Sequence, residues 1–333
     1  MLTVYVFSPE HPMLTRGDVG LVNPLAKESD VNKLQIWIFE SASGKLVGYL
    51  NTTDTETLNG TEASAAFQIT VDDNFVRNKP DVDVYVLANV SMNTCGCAFN
   101  AYTTRDELKS QAKIDADHFG LSPLTDEVPE EGLPMAGVLR NQPVIGNAPV
   151  LRIGNQNNIA TVSQQRAVSK LRFVFANSEG SAEMKITNIQ LDANVLPTEE
   201  YLFPQTTALT YDSRVVSLLS APKTVVEKDD PMEYVYNGQE AQVYETLIEQ
   251  SGLTVVGPYY LRESDKRLSG TITYTIGDTQ KTGTFQMEKA GDFLRNHTWI
   301  VYGYHSGGGY LQMNTICIKD WNNRTESHEV YNW

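Results

Sequence analysis

The chain has 333 residues, of which 41% are hydrophobic and 20% charged. That composition fits a folded globular protein with room for about two domains, not a disordered one. The net charge of −15 argues against nucleic acid and anionic membranes as partners, and no apolar run approaches the roughly 20 residues that a membrane-spanning helix needs.

The chain opens on MLTVYVFSPEHPMLTR. Leu2–Phe7 has the β-branched and aromatic composition of a strand, with Leu2, Val4 and Val6 on one face and Thr3, Tyr5 and Phe7 on the other. A strand this apolar is expected to be covered on both faces. Pro9 and Pro12 keep the following residues out of a strand, and Arg16-Gly17 offers a trypsin-type cleavage site beyond that linker. No basic region precedes the first strand, which fits either a cytosolic chain or a sequence that begins after its leader.

Residues 31–39 and 46–51 read as a hairpin turned at Gly44. Residues 66–71 form another short strand. In DVDVYVLAN (81–89), Val82, Val84, Val86 and Ala88 alternate onto one face. Thr104 and Glu107 form a capping-box signature for a short helix over about 105–112, with Leu108 and Ala112 on one side. Residues 115–132 read as an acidic loop, and apolar sequence resumes at LPMAGV (133–138). Short strands are expected at 150–153 and 158–162.

A second unit starts near Gln164. AVSKLRFVFA (167–176) is a strong strand with Leu171, Phe173 and Phe175 inward. Strands follow at 184–191, 257–263, 270–276, 281–287, 298–304 and 310–318, with a short helix at 243–250. Many short strands with turns every 8–12 residues predict an all-β chain of β-sandwiches, divided into units 1–163 and 164–333.

The same segments resemble the fimbrillin (type V pilin) family of major and accessory fimbrial subunits. The resemblance rests on VNKLQIWIFE, DVYVLAN and LPMAG in the first half. In the second half it rests on RAVSKLRFVF from Arg166, YYLRES (259–264), FLRNHTWIVYGYHSG (293–307), Trp321 and Trp333. It implies two tandem transthyretin-like seven-stranded β-sandwiches with a short helix in the first, and a structural pilus subunit rather than an enzyme. It further implies export as an outer-membrane lipoprotein, whose leader and lipid-bearing Cys this sequence does not show. A trypsin-like protease would cut after Arg16 and free the strand carrying Leu2, Val4 and Val6. The groove would then take a donor strand from another pilin subunit, carried here by Val330, Tyr331 and Trp333 within residues 322–333. Host glycans or proteins are the implied adhesion targets. The tail is more polar than the strand that it would replace.

Other candidates read as structural. Cys95-Gly96-Cys97 lacks the ligands of a zinc site and is either a pair of buried thiols, a redox-active pair or half of a bridge to Cys317. The histidines at 11, 118, 297, 305 and 328 are scattered. No G-x-S-x-G nucleophile turn, phosphate-binding loop or calcium loop is present, so no cofactor or metal is expected. Gly307-Gly308-Gly309 reads as a hairpin loop, and Asp72-Asp73 as a solvated charged loop. Tyr259, Tyr260, Trp299, Tyr302, Tyr304 and Tyr310 could together make a sugar-stacking platform, the alternative being a surface glycan-binding lipoprotein.

Overall fold

A computed structural model describes residues 1–8, 27–59, 64–115, 117–119, 127–203, 205, 208–230, 252–287, 289–291 and 293–318. In chain order the first part holds β1 (Leu2–Phe7), β2 (Leu34–Glu40), β3 (Leu46–Thr52), β4 (Ser64–Ile69), α1 (Asp73–Asn78), β5 (Val82–Ala88), α2 (Met92–Cys95) and α3 (Arg105–Gln111). It continues with β6 (Lys113–Ile114), β7 (Met135–Gln142), β8 (Val144–Asn147), β9 (Val150–Asn155), β10 (Asn158–Ile159), β11 (Thr161–Ser163) and β12 (Gln165–Arg166). One sheet has the order β12-β7-β5-β2-β3 and is antiparallel throughout. The facing sheet runs β10-β9-β1-β11, with β4 also on β1 and β8 also on β9.

Alternation explains why these strands pair face to face. Val82, Val84, Val86 and Ala88 do share one face and meet Leu2, Val4, Val6, Ile36 and Ile38 in a single core. The other face of β5 and β2, with Tyr85, Leu87, Trp37 and Phe39, packs against Leu108 of α3, the C-cap Ala112 that follows it, and Leu202, Phe203 and Tyr260. The five-stranded sheet is therefore covered on both sides, as its nearly unbroken apolar strands require.

The second part holds β13 (Ser169–Asn177), β14 (Met184–Leu191), β15 (Glu200–Tyr201), β16 (Val216–Ser217), β17 (Lys223–Thr224), β18 (Thr254–Leu261), β19 (Ser269–Ile276), β20 (Thr279–Gln286), β21 (Thr298–His305) and β22 (Gln312–Ile318). They form a β18-β13-β21-β22 sheet and a β16-β14-β19-β20 sheet, with β17 on β14. Between these lies a core that includes Leu171, Phe173, Phe175, Ile272 and Phe285. A two-stranded ribbon of β6 and β15 ties the first part of the chain to the second.

The all-β class and the sandwich architecture are as expected. Short pieces such as β8, β10, β16 and β17 bring each sandwich above seven strands. The expected helix is α3, with its capping box formed by Thr104 and Glu107. Two further helices appear among the described residues. Asp72 and Asp73 are exposed, as expected, but they start a helix instead of lying in a loop: Asp72 caps α1 by accepting the Phe75 N–H at 2.6 Å, and Asp73 opens its first turn. Ser91 and Thr94 form a capping box on α2. The helix expected at 243–250 lies outside the described residues.

A candidate strand-exchange groove

β1 sits inside its sheet, not at an edge. On one side it pairs antiparallel with β4 over its whole length, from Leu2 opposite Ile69 to Phe7 opposite Ser64. On the other side it runs parallel to β9 at Leu2 and Thr3, and to β11 at Tyr5, Val6 and Phe7. The ladder is extended by Leu151 N–H to Met1 O at 3.1 Å and Gln164 N–H to Phe7 O at 3.0 Å. Ser8 Oγ then donates to Leu58 O at 3.1 Å.

Leu2, Val4 and Val6 are buried in the core that also holds Leu151, Ile153, Val162 and Ile69. Fully burying three such side chains is worth about 5–9 kcal/mol, on the scale of a whole domain's stability of about 5–15 kcal/mol. Coverage on both faces, expected from composition, holds only at the start of β1, where Thr3 is buried. Tyr5 is half-buried and Phe7 is 39% exposed, because the outer face of this sheet meets solvent there. Without β1, a slot lined by apolar side chains and by the unpaired backbone groups of β4, β9 and β11 would remain. Arg16 and Gly17, and the tail with Val330, Tyr331 and Trp333, lie outside the described residues.

The chain re-enters the described structure at Lys27, and Glu28 is anchored at once. Its carboxylate is fully buried and takes Lys170 Nζ on both oxygens, at 2.9 and 2.8 Å, and the Tyr260 hydroxyl at 2.7 Å. Arg166 Nε donates to Glu28 O at 2.9 Å, and its other nitrogens reach Ser29 Oγ and Asn296 Oδ1. A buried carboxylate persists only when paired and hydrogen-bonded in this way. The cluster anchors the chain at Glu28 and Ser29 independently of β1.

The family-like motifs converge on this same junction. Asn296 adopts a left-handed conformation at φ 59°, its N–H bonding Val168 O, while His297 O accepts the Lys170 N–H. Arg295 pairs with Glu263 at 2.5 Å and with Glu200 at 3.0 Å. Burial pushes the Glu200 pKa up to about 8 against the pull of Arg295. Arg262 donates to Pro197 O, Asp115 O and His118 O, and burial lowers its pKa to about 10. Sequence reasoning missed Glu28, which sits alone in a polar stretch without periodicity.

The structure does not assemble the sugar platform. Tyr259, Tyr260, Trp299 and Tyr302 are buried and Tyr304 is half-buried. Tyr310 alone of the six is exposed, with Lys281 Nζ 4.5 Å from its ring centroid. His305 is buried against Asn177 Oδ1 at 2.8 Å. Among the described residues no group of three or more His, Cys, Asp or Glu could hold a metal. Cys95 and Cys97 are free thiols.

Residues 16–168 match the major fimbrial subunit protein (FimA) family. The fimbrillin resemblance is borne out. The match begins at Arg16 and leaves β1 outside it. Among solved structures, the chain is similar to a cell adhesion protein from Parabacteroides distasonis, at 15% identity and TM-score 0.53, covering 100% of this chain and 95% of that one. It is similar to the C-terminally truncated tip fimbrial protein Mfa3 from Porphyromonas gingivalis, at 13% identity and TM-score 0.52, covering 99% and 100%. It is also similar to a cell adhesion protein from Bacteroides eggerthii, at 13% identity and TM-score 0.51, covering 100% and 94%. At such identities the likeness shows the fold. No curated protein sequence matches the chain. The fimbrial-subunit match supports a role in a cell-surface pilus and in adhesion.

Proposed function

We propose that this chain is a structural pilus subunit that polymerises by strand exchange. The observation that carries the reading is β1: a central strand with three fully buried side chains, joined to the rest only through the 9–26 segment. A trypsin-like protease cuts after Arg16, β1 leaves, and a strand from a neighbouring subunit restores the ladder and refills the apolar slot. The donor is the neighbour's 322–333 segment, with Val330, Tyr331 and Trp333 as its large side chains. Units 1–163 and 164–333 form the subunit, which is non-enzymatic, reaches the outer membrane as a lipoprotein, and supports adhesion to host glycans or proteins.

The test is low-dose trypsin on the purified full chain, followed by N-terminal sequencing and a size analysis. Cutting after Arg16, loss of the 1–16 peptide and growth of higher oligomers are expected. A quantitatively cut chain that sheds β1 yet stays monomeric at high concentration would overturn the reading.

A further inference from the structure

Cys95 and Cys97 take no part in the groove. Cys95 ends α2 and is buried, and Gly96 turns the chain in the left-handed region at φ 69°. Cys97 follows half-buried. The turn leaves the two free thiols only two positions apart, one on either side of Gly96. The Asp115 side chain packs against the turn: a Cβ on Gly96 would stand 2.0 Å from Asp115 Oδ2. Cys97 Sγ also donates to Lys113 O on β6, at 3.5 Å. The pair therefore abuts the β6–β15 ribbon that links the two halves of the chain. Cys317 belongs elsewhere, on β22 in register with Trp299.

We infer that Cys95 and Cys97 are a redox-active dithiol, oxidised by low-molecular-weight disulfides to an intramolecular disulfide. Cys97 is the attacking thiol. It is partly exposed, and the neighbouring Cys95 thiol lowers its pKa, which raises its thiolate fraction. Its proton goes to solvent and its thiolate attacks one sulfur of the reagent. A Cys97–S bond forms, the reagent S–S bond breaks, and the first reagent thiolate leaves and is protonated. Cys95, whose pKa burial raises, is the resolving thiol. It gives up its proton and attacks the Cys97 sulfur, so that the Cys95–Cys97 bond forms as the mixed disulfide breaks, and the second reagent thiol departs. Two electrons pass from the protein to the reagent, which ends as two thiols. Closure removes the Cys97 donor from Lys113 O and so alters the support of β6.

The experiment treats the folded, full-length Cys317→Ser chain with oxidised glutathione under native conditions. Loss of both titratable thiols is expected, with a monomer on a non-reducing gel and an intact mass lower by two hydrogens. In a Cys95→Ser, Cys317→Ser chain, glutathione should remain trapped on Cys97. Peptide mapping of the oxidised wild-type chain gives the same readout if the Cys317 substitution disturbs folding. A stable glutathione adduct on the Cys317→Ser chain, a disulfide-linked dimer, or retention of both thiols while the urea-unfolded chain reacts would each overturn the inference.

Discussion

Val4→Ala measures how much the first sandwich depends on β1. Val4 is 1% exposed, in the middle of the strand, with Phe67 opposite it on β4. The substitution deletes two carbon atoms, worth about 1.6 kcal/mol at ~0.8 kcal/mol per buried methylene. The void adds about 1 kcal/mol more, at ~24 cal/mol per Å³ of cavity. A total near ~2.5 kcal/mol lowers the melting temperature of a unit this size by about 5–10 °C. Phe7→Ala is the matched control: its ring is 39% exposed on the outer face, so its cost should stay under about 1 kcal/mol. Thermal unfolding of the uncut chain, followed by circular dichroism, reads both. The reasoning fails if Val4→Ala melts within about 2 °C of wild type, or if Phe7→Ala shifts the transition as far.

Three further outcomes follow from the junction and the surface. Glu28→Ala takes the buried carboxylate from Lys170 and should cost about 3–5 kcal/mol in denaturant unfolding, whereas a Glu28→Met, Lys170→Met chain should recover most of that loss. The Glu200 pKa, raised to about 8 from 4.5, gives stability that is full below pH 4.5 and lost as pH rises through about 8; the slope reaches at most ~1.4 kcal/mol per pH unit. The difference in unfolding free energy between wild type and Glu200→Gln across that window should show this decline, and a flat difference would contradict it. Tyr310→Ala removes an exposed cation–π contact with Lys281 and should cost under about 1 kcal/mol in the same unfolding assay.

Strands and their inner faces were legible because alternation is local. Leu171, Phe173 and Phe175 point into the core as their spacing predicts, and the Thr104–Glu107 capping box fixes α3. The same alternation misleads for the opposite face of β13. Lys170 and Arg172 look like solvent-facing charges, yet both are buried. The partner that makes this tolerable for Lys170 is Glu28, 142 positions earlier, and no local pattern announces a pairing over that distance. α1 escaped because its apolar content is thin, with Phe75 its one buried residue. The ribbon of β6 and β15 has two residues on each side, too few for any periodicity. In the groove, the apolar face of β1 could be read from sequence, but its central place between β4 and the β9–β11 pair could not. That place depends on residues near 64–69 and 150–163 meeting in space.

The parallel pairing of β1 with β11 also sets an order of folding. Tyr5 must find Thr161, so the loop closed by that contact spans nearly the whole first sandwich, and its entropy has to be met before the contact yields anything. β13 and β21 make a second such ladder, joining Lys170 to Thr298. Although β1 leaves the ribosome before the strands that flank it, its slot is incomplete until β9 and β11 have been made. A strand synthesised ahead of its neighbours is thus among the last to dock, and until then the half-built sheet presents an open apolar slot.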